Sequence, residues 1–164
     1  MFKRKNNRKV AITTTCDATN TERRQREKMK VYNLIILDKS GSMCSIADAA
    51  IGGFNETVGS ILSTQKLMRE DQEHYVSLYV FCGCDKHHIY ENVPVEEVKI
   101  LTHKEYQPCC STPLFDAMGD SLNRLLLQIQ NDRNATAAVT IITDGLENAS
   151  IEYSGAAIKR LVNN

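Results

Sequence analysis

The chain has 164 residues, of which 42% are hydrophobic and 24% are charged. These values are typical of one soluble globular domain that can bury a core without disulfides. No apolar run approaches the roughly 20 residues of a membrane span, and no apolar stretch follows the basic N-terminus before Val31, which argues against a secretory signal. We therefore predict a cytoplasmic protein whose six cysteines are thiols.

The formal net charge is zero, but the charges are unevenly distributed along the chain. Residues 1–30 carry ten Lys and Arg against three Asp and Glu, whereas residues 31–164 are acidic by the same margin. A basic tail can bind nucleic acid or an acidic membrane surface, but its low apolar content favours a solvated, disordered leader. We predict that residues 1–30 are such a leader, that residues 31–164 form the folded domain, and that nucleic acid is not the partner.

Strands and helices are predicted to alternate along residues 31–164. Residues 31–37 (VYNLIIL) are apolar and β-prone, as in a central parallel strand. Apolar residues then recur at spacings of three and four over residues 46–62, which predicts a helix. Residues 75–82 and 88–93 read as a second strand and a third one that pairs back onto it.

The second half of the chain continues the alternation. The "STP" at residues 111–113 predicts a helix start, with Ser111 or Thr112 as the cap and Pro113 in the first turn. Residues 137–143 read as a fourth strand and residues 154–162 as a short last helix. The alternation predicts an α/β fold with a mainly parallel sheet and right-handed crossovers.

Five oxygen-bearing side chains are predicted to meet at one edge of this sheet. Asp38, Ser40 and Ser42 follow the first strand in "LDKSGSM". Thr112 precedes a helix, and Asp144 follows the fourth strand. Ligands of open α/β sheets bind at the carboxyl ends of the strands, and a small hard cation prefers oxygen ligands of this kind. We predict a Mg²⁺ site, with Mn²⁺ or Ca²⁺ as alternatives, and we infer that an acidic group of a partner would be a favourable remaining ligand.

The same residues carry a family resemblance over about residues 31–164. "DKSGSM" resembles the DxSxS motif of von Willebrand factor type A domains, and Thr112 in "CCSTPLFDA" and Asp144 in "IITDG" occupy the matching positions of the metal-ion-dependent adhesion site. Segments such as "STPLFDA" and "TDGLENAS" are similar to those of stand-alone bacterial type A proteins. The resemblance implies a three-layer α/β/α sandwich with a Rossmann-like sheet of order 3-2-1-4-5-6, in which strand three is antiparallel.

One departure from that family concerns the end of the chain. The last strands of the family, the fifth and sixth, and its last helix have no counterpart before Asn164. We expect strand four to be an exposed edge, a position at which other chains can pair. The sequence is accordingly interpreted as a fragment, or as a domain whose edge is covered in another way.

Other functions are compatible with parts of this pattern. Asp and Ser also favour simple turns and helix caps. An aspartate after a strand can be a phosphoryl-accepting nucleophile, but haloacid-dehalogenase-type phosphatases have a second acid where Ser40 stands. Neither a G-x-x-x-x-G-K-[ST] loop nor a G-x-S-x-G elbow occurs. We predict a metal-dependent protein-binding domain and not an enzyme; the alternatives are an accessory subunit of an ATPase or chelatase-type metal-insertion machine, and a structural domain with an empty site.

The cysteines suggest a second group of interest. Cys82, Cys84, Cys109 and Cys110, with His87 and His88, are expected near the same edge and could bind zinc or respond to oxidants. The spacing is not a standard zinc pattern, so a buried Cys82 and solvent-facing histidines are the simpler interpretation. Tyr106, Met43 and Lys39 are predicted to rim the metal site, and Glu147 either supports it or faces water.

Overall fold

The computed structural model describes residues 27–130 and 132–163. Within them lies an α/β fold built on a four-stranded mixed sheet. The strands are β1 (Met29–Asp38), β2 (Gln72–Cys82), β3 (Asp85–Pro94) and β4 (Ala135–Ile142). The α-helices are α1 (Ala47–Leu67), α2 (Leu114–Ile129) and α3 (Gly155–Val162). Every predicted strand and helix is present, with its ends displaced by a few residues.

The sheet has the order β3-β2-β1-β4. β1 is parallel to both β2 and β4, and β3 is antiparallel to β2. This arrangement confirms a mainly parallel sheet with one antiparallel edge strand. The predicted leader is largely outside the described residues, and β1 begins at Met29, slightly before the predicted domain boundary.

The second half of the central strand, residues 34–37, is apolar and covered on both faces. Alternate side chains of a strand point to opposite faces. Ile35 and Leu37 pack in one cluster with Phe54 of α1, whereas Leu34 and Ile36 pack in a second cluster with helix α2. All four β1 side chains are buried. Burial of a side chain of this kind contributes about 1.5–3 kcal/mol, so these two clusters hold β1 and its carboxyl end in place.

The start of α2 differs from the prediction. Neither Ser111 nor Thr112 caps the helix; Pro113 stands before its first residue and no side chain of the flanking residue accepts a helix N–H group. A distant segment supplies the acceptors instead, because Glu147 Oε2 accepts from the Phe115 backbone N–H at 2.9 Å and Ser150 Oγ accepts from that of Asp116 at 3.1 Å. The unpaired N–H groups of a helix start need such partners.

β4 is an edge strand within the described residues, as predicted, because it pairs only with β1 there. Val139 and Ile141 on this strand are 42% and 38% exposed. They line an apolar groove of about 400 Å³ together with side chains of α2 and α3. No helix of the described part of the chain combines the length and apolarity needed to cross a membrane.

The prediction that all cysteines are thiols is wrong for two of them. Cys84 and Cys110 form a disulfide, with their Cα atoms 6.1 Å apart, a separation that a disulfide spans without distortion. The prediction was based on composition and on the expected cytoplasmic location. Neither indicates that the fold brings these two loops together. Cys44, Cys82 and Cys109 are thiols, and Cys16 lies outside the described residues.

Candidate metal centre

The first predicted site residue, Asp38, ends the central strand and is fully buried. Its Oδ1 accepts a hydrogen bond from the Ser40 backbone N–H at 2.7 Å, and its Oδ2 accepts one from Thr143 Oγ1 at 2.7 Å. The carboxylate therefore joins the end of β1 to the residue that follows β4. Its rotamer is set by contacts on both sides.

The two serines connect Asp38 to the second acid. Ser40 Oγ and Ser42 Oγ lie 3.2 Å apart; Ser40 has an extended backbone and directly precedes a short 3-10 helix, Gly41–Ile46, in which Ser42 lies. Ser42 Oγ donates to Asp144 Oδ1 at 2.9 Å. Ser40 is buried, whereas Ser42 and Asp144 are exposed. The group thus has a buried floor and a rim that solvent reaches.

Thr112 lies on the floor of the same group and is 3% exposed. A Cβ atom placed on Gly145 would be 3.5 Å from Asp38 Oδ2 and 3.6 Å from Thr112 Oγ1. Both oxygens therefore border the small volume next to Gly145. All five predicted residues meet at the carboxyl ends of β1 and β4, as expected for neighbouring parallel strands.

The segment after β4 is fixed to the start of α2 by hydrogen bonds that the sequence did not reveal. Asn148 Oδ1 accepts from the Thr112 N–H at 2.9 Å, and the Asn148 N–H donates to the Thr112 carbonyl at 3.2 Å. Asp116 accepts three backbone N–H bonds, from Ile151, Glu152 and Tyr153, at 2.8–2.9 Å. These contacts orient Thr112 and hold the segment that carries Asp144.

Glu147, which was expected either to support the site or to face water, has a supporting position. Its Oε1 accepts from the N–H groups of Ala149 and Ser150 at 2.8 and 2.7 Å, and its Oε2 accepts from the α2 start. Burial acts to raise the pKa of Glu147, but the Ser150 hydroxyl and the backbone N–H bonds outweigh it and lower that pKa. An ionised Glu147 is therefore part of the loop's structure.

Two of the three predicted rim residues are buried instead. Tyr106 is 1% exposed and Met43 is fully buried. The Tyr106 hydroxyl donates to the Asp38 carbonyl oxygen, and burial, followed by the charges of Asp38 and Asp144, raises the pKa of Tyr106. It stays protonated and keeps donating. The prediction failed because a polar hydroxyl and a thioether at a loop were taken as surface features, whereas both fill the space beneath the first loop.

The third predicted rim residue, Lys39, does lie beside the site. Its Nζ forms an ion pair with Asp85 Oδ2 at 2.9 Å, and its backbone carbonyl accepts from the Cys109 N–H. Lys39 therefore binds an acid of the neighbouring turn rather than Asp38 or Asp144.

The electrostatics of the group favour a cation. In residues 27–130 and 132–163, neither Asp38 nor Asp144 forms an ion pair with a Lys, Arg or His side chain. Two carboxyl groups thus lie beside the hydroxyls of Ser40, Ser42 and Thr112 without a cationic partner among the described residues. Buried charges are normally paired or bound to metals, and an oxygen-only donor set suits Mg²⁺, Mn²⁺ or Ca²⁺. The donor set therefore fits a hard divalent ion.

Sequence reasoning missed the residues that position the donors. Thr143, Gly145, Asn148 and Asp116 all lie in or near the "TDGLENAS" and "LFDAMG" segments. The polar residues and glycines of these segments indicate a turn. They do not indicate which other segment of the chain the turn contacts. No protein-family model matches the chain, and no curated protein matches it.

Proposed function

We propose that this chain is a metal-dependent protein-binding domain of the von Willebrand factor type A kind, with a three-layer α/β/α architecture. One observation carries the proposal: Asp38 and Asp144 are joined through Ser40 and Ser42 in one hydrogen-bonded group that has no cationic partner among the described residues. The sheet order β3-β2-β1-β4 and the helices on opposite faces of β1 support the architecture.

The residues have distinct roles in this proposal. Ser40, Ser42 and Thr112 would ligate the ion through hydroxyl oxygens, and Asp38 and Asp144 would ligate it directly or through water. Mg²⁺ keeps several waters in most protein sites. With few charged protein ligands the ion remains electron-poor, so an Asp or Glu of a partner protein would be a favourable replacement for a water at the exposed rim formed by Ser42 and Asp144.

Thermal unfolding of the full chain tests the metal-binding step. The oxidised protein is freed of metal, and its melting temperature is measured with and without Mg²⁺. A ligand at a hundredfold excess over its dissociation constant stabilises the folded state by about 2.7 kcal/mol. For a chain of this length that corresponds to a rise of roughly 5–10 °C. We expect this rise in the wild type and its loss in Asp144→Ala.

A matched control separates site binding from general charge effects. Asp71 is an exposed acid just before the amino end of β2. It therefore lies at the end of the strands opposite to the carboxyl ends that carry the site. Asp71→Ala should keep the full Mg²⁺ response. A wild type that melts cooperatively and ignores Mg²⁺, Mn²⁺ and Ca²⁺ would rule out an intrinsic metal site and favour the structural alternative. An equal loss of response in both variants would also count against the assignment.

The protein-binding step needs a second measurement. A fluorescently labelled peptide library with single Asp or Glu residues is titrated with the wild type in Mg²⁺ and in EDTA. We expect binding of acidic peptides only with Mg²⁺, and no binding by Asp144→Ala. Peptide binding that is the same in EDTA would contradict the proposed role of the ion.

A further inference from the structure

Four of the five described cysteines gather beside the metal centre, at the turn after β2. Cys82 ends β2, Cys84 lies in the turn, and Cys109 and Cys110 lie in the loop before α2. Cys82 Sγ and Cys109 Sγ are 3.6 Å apart, and these two sulfurs and Cys110 Sγ all lie within 4.8 Å of one another. Cys84 is bonded to Cys110. The four sulfurs, which we call the sulfur cluster, thus occupy one site.

The spacing of these sulfurs suits a tetrahedral thiolate site. A zinc ion with Zn–S bonds of about 2.3 Å places its ligand sulfurs about 3.8 Å apart, from tetrahedral geometry. The separation between Cys82 and Cys109 is already close to that value. Reduction of the Cys84–Cys110 bond frees these two sulfurs to rotate about their Cα–Cβ bonds, which is the movement that the same spacing would require.

The backbone around the sulfur cluster is held by contacts other than the disulfide. The Gly83 N–H donates to the Ser111 carbonyl at 2.8 Å, and the Cys109 N–H donates to the Lys39 carbonyl at 2.8 Å. The Gly41 N–H donates to the Cys110 carbonyl at 2.9 Å. Reduction of the disulfide therefore leaves the two loops side by side, and the ligands of a metal would be preorganised.

The two loops approach so closely that the residue between Cys82 and Cys84 must be small. A Cβ atom on Gly83 would lie 3.2 Å from the Ser111 backbone nitrogen and would overlap the Ser111 hydroxyl. Cys110 has a positive φ of 65°, a left-handed conformation that is uncommon for a residue with a side chain and is concentrated at functional sites. The strained backbone directs this cysteine to the sulfur cluster.

We propose that Cys82, Cys84, Cys109 and Cys110 bind one Zn²⁺ ion when the disulfide is reduced. A dithiol or phosphine reductant supplies two electrons, and two protons from water complete the conversion of the Cys84–Cys110 bond into two thiols. Zinc binding then releases four protons as four Zn–S bonds form. The donor set is all-thiolate, which selects soft cations over the Mg²⁺ of the oxygen site. The site is separate from the proposed function and does not depend on it.

Cobalt substitution tests this site in the full chain. The protein is reduced with a phosphine, which does not compete as a thiol ligand, and titrated with Co²⁺ without oxygen. We expect one equivalent of Co²⁺ to bind, with a thiolate-to-cobalt charge-transfer band and the strong visible bands of tetrahedral cobalt. Zn²⁺ should abolish both, and the oxidised protein should show neither.

Variants identify the ligands. Cys109 is exposed, so Cys109→Ser should fold; it is expected to lose the tetrahedral spectrum or to bind cobalt at least about tenfold more weakly, a change of 1.4 kcal/mol. Cys44→Ser is the matched control, because Cys44 is an exposed thiol whose Sγ donates to the Pro108 carbonyl and which lies outside the cysteine group formed by the described residues. It should bind cobalt like the wild type.

Two further measurements keep the test decisive. Zn²⁺ should protect four thiols of the reduced protein from alkylation, as counted by mass spectrometry, whether or not a variant is less stable. Ser42→Ala, which removes a hydroxyl of the oxygen site, should leave the cobalt spectrum unchanged. The proposal is overturned if the reduced wild type gives no thiolate–cobalt band, if Cys109→Ser matches the wild type, or if the cluster only forms a second disulfide, between Cys82 and Cys109, and takes up no metal.

Discussion

Asp116 carries the segment that brings Asp144 to the site, and its replacement by asparagine is expected to be costly. The side chain is 5% exposed and accepts backbone N–H bonds from Ile151, Glu152 and Tyr153. Asparagine has the same shape but one acceptor oxygen. That oxygen can replace Oδ1, which accepts two of the three bonds, and the amide NH₂ then faces the third N–H.

The expected decrease in the free energy of unfolding follows from these three hydrogen bonds. An N–H group left buried without an acceptor costs about 1–3 kcal/mol, and the two remaining bonds each weaken because the acceptor is no longer charged. We expect Asp116→Asn to lower the free energy of unfolding by about 2–4 kcal/mol in total. The measurement is urea unfolding followed by circular dichroism at neutral pH.

The control lies one turn further along the same helix. Asp120 Oδ2 forms an ion pair with Lys86 at 2.6 Å and its side chain is 26% exposed. Solvent-accessible ion pairs contribute little, so Asp120→Asn should cost less than about 1 kcal/mol. If both variants lose the same small amount, the buried carboxylate does not hold the segment, and the reasoning is refuted.

The pH dependence of the same variant provides a second test. Burial acts to raise the pKa of Asp116, but the three backbone N–H bonds outweigh it and lower that pKa in the folded state. A lowered folded pKa gives stability that is fully present above the unfolded value of about 3.9 and is lost as the pH falls through the folded pKa. The stability difference between wild type and Asp116→Asn should be constant from about pH 5 to 7 and shrink below about pH 4. A difference that grows on acidification would contradict this sign.

Four further substitutions test the core packing and one buried hydrogen bond. Phe54→Ala removes a fully buried ring of α1 and should cost about 3–5 kcal/mol in urea unfolding. Gly119→Ala places a Cβ atom against the Tyr153 ring and should lower the melting temperature through a cost of about 1–3 kcal/mol. A Cβ atom on Gly59 would meet no described atom within 4 Å apart from its chain neighbours and the nearby backbone of its own helix, so Gly59→Ala should raise the melting temperature through a gain of about 0.5–1 kcal/mol. Tyr106→Phe leaves the last carbonyl of β1 without its hydroxyl donor and should cost about 1–3 kcal/mol in urea unfolding. Each result has a contrary outcome that would show that the contact is not formed in solution. These outcomes are an unchanged free energy of unfolding in Phe54→Ala or in Tyr106→Phe, and equal shifts of the melting temperature in the two glycine variants.

Local patterns were sufficient for the α/β class and the order of its elements. The apolar run at residues 31–37, the three-and-four spacing after it and the turn residues between elements depend on neighbours in the sequence, which is why these predictions are confirmed. The DxSxS pattern also identified Asp38, Ser40 and Ser42 as one group, because the three are close neighbours in the sequence, although the serines are brought together at the start of a short 3-10 helix, Gly41–Ile46. Metal binding, the type A identity and a cytoplasmic location remain predictions.

The contacts that assemble the site depend on residues far apart in the chain. Ser42 and Asp144 are separated by 102 positions, and only the packing of β4 against β1 brings them within hydrogen-bonding distance. Three other contacts also join residues that are distant in the sequence. They are the hydrogen bond from the start of α2 to Glu147, the one from Tyr106 to the end of β1, and the Cys84–Cys110 disulfide.

The sequence by itself determined which chemical groups this protein has available: acids and hydroxyls after its strands, and cysteines in two of its loops. The tertiary structure decided which of them meet, which are buried and which serve as helix caps. The physical reason is that strand pairing and burial are set by the free energy of the whole core. The residue type determines which hydrogen bonds a side chain can form. The folded core determines which partner it meets.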